Sequence, residues 1–133
     1  MAVVTKSLKA SFDAVQALTV QQLTGDIFAG ETLPIASPCY IKSDGKAYLC
    51  NGTAADAKVV VDGWTGKEYR TGEPVALLGR GMRYHYSDGA LTPGQGLYLG
   101  TTAGTLDTAA TIGGTAVVAR AINTKDVYCT GGI

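Results

Sequence analysis

The chain has 133 residues, a length that indicates one domain able to form a core without a metal or disulfide. Its eleven lysines and arginines balance eleven aspartates and glutamates, so no basic field is available to attract nucleic acid or an anionic membrane. No stretch approaches the roughly 18 apolar residues of a spanning helix, and no apolar run follows Lys6 and Lys9 as in a secretory signal. We therefore expect a soluble protein made in a cytoplasm, with neither nucleic acid nor a membrane as its partner.

The first 24 residues differ from the rest of the chain because they contain neither glycine nor proline. Four apolar residues have the spacing of one stripe on a helix: Leu8, Phe12, Val15 and Leu18. Phe12, Leu18 and Val20 also share the parity of a strand, so both structures stay open and any helix is confined to residues 8–23. The composition predicts an N-terminal arm, residues 1–24, that packs on a neighbouring subunit. The alternative is an ordinary first element of the same core.

From Gly25 onward the chain is dominated by turns and short strands. Eighteen glycines and many threonines argue against a helical bundle, because both residue types are weak helix formers. Turn signals recur about every eight to twelve residues, and short apolar or β-branched segments lie between them. The pattern predicts an all-β domain over residues 25–133, a small β-barrel or sandwich of about ten short strands.

A β-hairpin is predicted at "CYIKSDGKAYLC", residues 39–50. Asp44-Gly45 is typical of a two-residue type I′ turn, and counting back from it pairs Cys39 with Cys50. A disulfide between the two is geometrically conceivable. However, they occupy a hydrogen-bonded pair, where side chains diverge, and a cytoplasm keeps thiols reduced. We expect free thiols, with Cys129 unpaired in either case.

The glycine-rich stretch "TPGQGLYLGTTAGT", residues 92–105, raises the question of a phosphate-binding loop. Its spacing fits neither a Walker loop nor a dinucleotide loop, and the residues after Gly96 are strand-like, so no helix N-terminus follows to bind an anion. Pro93-Gly94 is typical of the centre of a type II turn. The glycines are therefore interpreted as turn residues.

No catalytic, cofactor-binding or metal-binding set stands out in the sequence. His85 precedes Ser87 and Asp88, but residues so close along one strand and turn do not easily form a Ser-His-Asp relay. The three cysteines and His85 lack the close Cys-x₂₋₄-Cys pair of a zinc site. Alternation places Tyr84 and Tyr86 on one face of their strand, with Arg83, His85 and Ser87 on the other. We expect neither an enzyme nor a cofactor.

The segment "LTPGQGLYLGTTAGTLDTAATIGGTAVVARAINTKDVYC", residues 91–129, resembles the C-terminal part of tailed-phage head decoration proteins, also called capsid cement proteins. It has their Pro-Gly turn, Leu-Tyr-Leu strand, Gly-Thr-Leu turn and final apolar pair of strands. Residues 29–52 and "GEPVALLGRG", residues 72–81, are similar to the same family's Ala-Gly-Glu start, hairpin and Pro-Val strand. The resemblance covers about residues 26–129, and the first 25 residues match no part of the family.

The resemblance implies a homotrimer on the outer surface of an icosahedral phage head, near local threefold positions of the major capsid protein. It also implies a protein of the virion without enzymatic activity. The candidate contacts with another subunit or with the capsid are Leu8, Phe12, Val15, Leu18, Trp64, Tyr84 and Tyr86. An alternative is a glycan- or receptor-binding module of a phage tail or fibre, in which Trp64, Tyr84, Tyr86 and Tyr98 stack on sugars.

Overall fold

The computed structural model describes residues 3–13, 16 and 22–131, and it confirms the all-β barrel or sandwich fold. The strands are short, as expected for a chain so rich in turns. They are β1 (Ser11–Asp13), β2 (Gln22–Leu23), β3 (Phe28–Ala29), β4 (Pro38–Ile41), β5 (Lys46–Leu49), β6 (Gly63–Thr65), β7 (Leu77–Leu78), β8 (Arg83–His85), β9 (Gly96–Leu99), β10 (Leu106–Asp107), β11 (Ala119–Ala121) and β12 (Asp126–Cys129), with a 3₁₀ turn at Ala57–Val59.

The first sheet has the strand order β1-β8-β12-β11-β9-β10 and is antiparallel throughout. Its two outer strands are both contacted by the segment that starts the chain. Val3 forms a bridge with Asp107 beside β10, and the Val4 amide donates to the Leu106 carbonyl at 2.8 Å. At the opposite edge, β1 of the same segment pairs with β8. The N-terminal segment, residues 3–13, therefore links both edges and curls the sheet.

The second sheet has the order β2-β7-β6-β4-β5-β3, with β3 parallel to β5 and its other pairs antiparallel. The far side of β3 is also paired. The Ala29 amide donates to Glu73 at 2.9 Å, and the Val75 amide donates to Ile27 at 2.8 Å. Because Val75 lies just before β7, this pairing brings the two ends of the second sheet together.

The hairpin of β4 and β5 forms where the sequence predicts it, but its register is shifted by one residue. Cys39 lies opposite Leu49 instead of Cys50. The turn takes its positive φ at Gly45 alone, with a value of 81°, and the Gly45 amide donates to Lys42 at 2.9 Å. The loop therefore has three residues, 43–45, in place of the predicted two-residue type I′ turn, which needs a positive φ at both positions.

The shift in register separates the two cysteines of the hairpin, because a shift by one residue exchanges the faces of a strand. Cys39 packs with Leu33, Ala47 and Leu77 inside the second sheet. Cys50 belongs to the larger cluster that includes Trp64 and Tyr84. All three cysteines are free and buried.

The larger core cluster joins the two sheets through aromatic side chains. The ring centroid of Trp64 on β6 lies 6.4 Å from that of Tyr84 on β8, and the Phe12 centroid lies 5.6 Å from that of Tyr84. The Trp64 Nε1 donates to the Gly131 carbonyl at 3.1 Å. The core therefore holds residues from the start, the middle and the end of the described chain.

The described part of the predicted N-terminal arm, residues 1–24, pairs with the rest of the chain. Strands β1 and β2 lie before Gly25, and each pairs with a strand of the body. Of the described residues between 8 and 23, residues 11–13 and 22–23 form strands and none is helical. Of the apolar residues described here, Val4 is buried and Phe12 is half-buried by the same chain, whereas Leu8 is exposed.

Lys6 binds the N-terminal segment to the chain between β3 and β4 of the second sheet. Its Nζ donates to the Ile35 carbonyl at 2.6 Å and to the Ser37 hydroxyl at 2.8 Å, and it lies 5.5 Å from the centroid of the Tyr86 ring. Burial lowers the pKa of Lys6 from its ordinary 10.5 to about 8, against an opposing effect of Cys39. Protonated Lys6 is thus less favourable in the folded chain than in water.

The lowered pKa of Lys6 predicts that its contribution to the free energy of unfolding increases as the pH rises from 8 to 10.5. In that range the unfolded chain keeps the Lys6 proton while the folded chain releases it, so the unfolded state binds more protons. Between pH 7 and pH 10 the free energy of unfolding should rise by up to about 2.5 kcal/mol relative to Lys6→Met. Urea unfolding of both proteins at each pH measures this, and a pH-independent difference would contradict it.

Candidate functional site

Three of the predicted contact residues lie in the core and cannot contact another molecule. Trp64, Tyr84 and Tyr86 each have an exposed fraction of 0%. The prediction is therefore wrong for these three side chains. The alternation of the strand was correctly assigned, but Tyr84 and Tyr86 face inward because their rings fill the space between the two sheets.

The other predicted contact residues fall into three groups. Leu8 is fully exposed, at 104%, and stays a candidate contact. Phe12 is half-buried and packs on Tyr84 of its own chain. Val15 and Leu18 lie outside the residues that the structure describes. Of the two structures left open for this segment, the strand is the one formed at Phe12.

A row of charged side chains lies on the outer face of the first sheet. The Arg83 Nη2 donates to the Asp126 carboxylate at 2.7 Å, and its Nε donates to the same oxygen at 3.1 Å. His85 Nδ1 lies 3.4 Å from the other Asp126 oxygen. Arg83 and His85 are half-buried and alternate with buried tyrosines, as the sequence predicts. Asp126 thus binds both neighbours on β8 and holds β8 and β12 together.

The serines near His85 are hydrogen-bonded elsewhere. Ser87 is 1% exposed, and its hydroxyl accepts from the Ala90 amide at 3.0 Å in the turn that follows. The Ser7 hydroxyl donates to Asp88 at 2.6 Å. Ser87 is thus buried, unlike the half-buried Arg83 and His85 with which alternation grouped it. Neither serine has His85 as its base, so this row supplies the attachment of strands rather than an activated nucleophile.

One concavity lies beside the first sheet and another beside β3. One of about 320 Å³ is lined by Gln16, Arg83, Ile122 and Tyr128. Its arginine is already paired with Asp126 at 2.7 Å. The other, of about 500 Å³, lies beside β3 and includes Phe28, Lys67 and Pro74. Lys67 packs over the Tyr69 ring, 5.1 Å from its centroid.

The chemistry of the cysteines agrees with a structural role. Burial raises the pKa of Cys39 to about 12, with Glu31 raising it further and Lys6 opposing. Burial also raises the pKa values of Cys50 and Cys129. In residues 3–13, 16 and 22–131, no group of three or more His, Cys, Asp or Glu side chains is placed to hold a metal ion.

The most distinctive surface is a set of three loops joined through glycine backbones, which we call the loop end: residues 53–60, 101–103 and 112–117. The Gly52 amide donates to Gly100 at 2.7 Å, and the Gly113 amide donates to Gly52 at 2.9 Å. A Cβ on Gly113 would overlap the Ala54 carbonyl. Only glycine allows the loops to approach so closely, and this fixes their arrangement.

The loop end combines exposed apolar side chains with little charge. Ile112 is 80% exposed, Val60 is 56% exposed and Val117 is 43% exposed. Asp56 and Lys58 are its charged residues. Sequence reasoning interpreted the nearby glycines as turn residues and did not select this surface. The sequence feature that could have indicated this surface is the pair Gly113-Gly114, which follows Ile112 and lies outside the strands.

The type II turn predicted at Pro93-Gly94 is present. The Gln95 amide donates to the Thr92 carbonyl at 3.1 Å, and Gly94 has a φ of 81°, which type II turns need at their third position. The stretch after it forms β9 and then a second turn, in which the Thr105 amide donates to Thr102 at 3.2 Å. These glycines make turns and close contacts.

Comparisons with models of known protein families and with curated protein sequences found no match to the chain. Within the part of the chain that the structure describes, no helix has the length and apolarity needed to cross a membrane.

The buried thiols predict a sharp difference between folded and unfolded protein. At pH 8 the folded chain should react with a thiol reagent at none of its three cysteines, because each is at most 1% exposed and its pKa is raised. After denaturation, three thiols per chain should titrate. Rapid reaction of any cysteine in the folded protein, or fewer than three after denaturation, would contradict this.

The glycine contact predicts that Gly113→Ala destabilises the loop end. The new methyl group would meet backbone atoms of Ala54 and Ala55, which cannot move without displacing their loop. We expect a loss of about 1–3 kcal/mol in the free energy of unfolding, as for overpacking. Gly66→Ala is the matched control, because its Cβ first meets only the end of the Leu78 side chain, at 2.9 Å. Equal stability of the two variants would contradict the prediction.

Proposed function

We propose that this chain is a head decoration protein of a tailed bacteriophage. In this role it binds the outer surface of the icosahedral head as a homotrimer, near threefold positions, and stabilises the shell. Its partners are the major capsid protein and its own copies, and its role is structural. The protein would be made in the host cytoplasm and become part of the virion.

The observation that carries this proposal is the fold of the segment that resembles the family. Residues 91–129 contain, in order, the Pro-Gly turn, strand β9, the turn into β10, and the final pair β11 and β12. These elements follow the pattern of turns and strands that the resemblance is based on. Strands β9, β11 and β12 are adjacent in one sheet, so the segment has the continuous pairing of a structural unit.

The glycan-binding alternative has less support in this fold. It depended on Trp64, Tyr84, Tyr86 and Tyr98 as a stacking surface. Three of these rings are fully buried, and Tyr98 is half-buried on β9. A sugar needs an exposed aromatic face, so only Tyr98 of this set is available to contact one.

A trimer explains how a domain of this size holds a shell firmly. When one copy of a linked set binds, the others bind at a high effective concentration, so the overall affinity exceeds that of a single contact by orders of magnitude. A protein that binds only the assembled lattice also shifts the equilibrium toward that lattice. This stabilises a shell under internal pressure without any catalytic chemistry.

The proposal predicts that the purified protein cosediments with phage heads that lack decoration. Light scattering should give three times the 13.7 kDa mass of the single chain. Bound copies should saturate at three per threefold position, and decorated heads should resist heat or chelation better than bare ones. A monomer that does not bind heads but binds host-cell glycans would refute the proposal and support the alternative.

A further inference from the structure

The cavity of about 500 Å³ beside β3, which we call the β3 cleft, has the size of a small-molecule site. Such sites typically measure about 300–1,000 Å³. Its lining comes from β3 and the turn before it, from the chain after β6, and from the chain before β7. Five of the side chains that line it are exposed: Thr24, Asp26, Phe28, Lys67 and Pro74.

An apolar platform forms one part of the β3 cleft. Phe28 and Pro74 lie opposite each other in an antiparallel bridge, so their side chains are close together on the same face. Phe28 is 41% exposed, and Pro74 is exposed as well. Among the aromatic residues that the structure describes, Phe28 alone is exposed, and the others are half-buried or buried. The cleft therefore has the aromatic surface that this fold otherwise keeps in the core.

Backbone hydrogen bonds hold the platform in place on both sides. The Ala29 amide donates to the Glu73 carbonyl at 2.9 Å, and the Val75 amide donates to the Ile27 carbonyl at 2.8 Å. Tyr69 lines the cleft from the core side and is only 7% exposed. A site that is formed before its ligand arrives loses little conformational entropy on binding.

The polar side chains of the β3 cleft have no polar partner among the described residues. Asp26 and Lys67 form neither an ion pair nor a side-chain hydrogen bond there, and the Thr24 hydroxyl forms no hydrogen bond. The Lys67 ammonium instead lies over the Tyr69 ring, 5.1 Å from its centroid. One acid and one base thus line the cleft, so their charges sum to zero while both stay available to a ligand.

This combination favours one class of ligand. A ligand with a single charge would be attracted by Asp26 or Lys67 and repelled by the other. The hydroxyl groups of a neutral saccharide donate to a carboxylate and accept from an ammonium, and hydrogen bonds to charged groups are the stronger ones. The C–H groups on one face of a sugar ring pack on an exposed aromatic ring. A zwitterion would have to match the separation of the two charges, whereas hydroxyl groups all around a ring do not.

We propose that the β3 cleft binds a neutral saccharide, a function separate from the binding of a phage head. Phe28 and Pro74 pack on the C–H face of one sugar ring. Asp26, Lys67 and Thr24 form hydrogen bonds with its hydroxyl groups. The contacts are few, so the dissociation constant of one copy is expected on the order of 1 mM. Several copies on one particle would hold a polysaccharide much more tightly than one copy does.

Saturation-transfer NMR on the purified chain tests this proposal. The probes are neutral disaccharides of glucose, galactose, mannose and N-acetylglucosamine, each at up to about 10 mM. At least one of them should receive saturation, mainly at C–H protons of one ring. Its affinity should change little with salt, because the ligand has no charge. Absence of saturation transfer to every probe would overturn the proposal.

Two variants show whether the binding occurs in the β3 cleft. Phe28→Ala removes the aromatic ring and should lower the affinity at least about tenfold. Asp26→Asn keeps the size of the side chain, and asparagine tolerates the positive φ of 54° at this position, so the fold is retained. It should lower the affinity at least about threefold, because a charged acceptor is lost.

The matched control is Leu8→Ala, which changes an exposed apolar side chain outside the cleft. Its affinity should stay within about twofold of the wild type. Thermal unfolding checks that each variant is folded, and Asp26→Asn decides the question if Phe28→Ala does not fold. Wild-type affinity in the folded cleft variants would overturn the proposal.

Phenylalanine serves as a zwitterionic probe. If it binds, its affinity falls with salt, and no saccharide binds, then the cleft takes a zwitterion and the proposal is wrong. The measurements use the free chain without heads, so they are independent of the proposed function. A protein that binds heads but no saccharide overturns only the inference, and one that binds a saccharide in the cleft but no heads overturns only the proposed function.

Discussion

The packing of Trp64 against Tyr84 is the interaction on which the two-sheet structure depends. Trp64 belongs to β6 of the second sheet and Tyr84 to β8 of the first, and their ring centroids lie 6.4 Å apart. Both rings are fully buried, and the indole also fixes the Gly131 carbonyl. Truncating a buried aromatic ring typically costs about 3–5 kcal/mol, a large fraction of the stability of a small domain.

Because the large aromatic rings are packed in the core, other side chains supply most of the exposed apolar surface. With Trp64, Tyr84 and Tyr86 buried, exposed apolar area comes mainly from aliphatic residues outside the strands, such as Ile112 on the loop end. A surface of small aliphatic side chains on a fixed backbone recognises a partner by shape.

Local turn chemistry could be predicted from the sequence, whereas burial and long-range pairing could not. Pro93-Gly94 specifies a type II turn through its own backbone preferences. Asp44-Gly45 fits a two-residue loop and a three-residue loop equally well, and the choice is made by burying Cys39 and Ala47 together in the second sheet. Likewise, alternation put Tyr84 and Tyr86 on one face, but only the opposing sheet determines that this face is inside. The loop end depends on contacts between Gly52, Gly100 and Gly113, which are far apart in sequence.

The described start of the chain, residues 3–13, packs on strands of its own chain that lie next to the loop end. Val3 and Val4 pair with β10, and β10 in turn pairs with β9. The Gly100 amide, which begins one of the three loops, donates to Thr105 at 2.9 Å next to β10. The N-terminal segment therefore holds the strand from which the loop end extends.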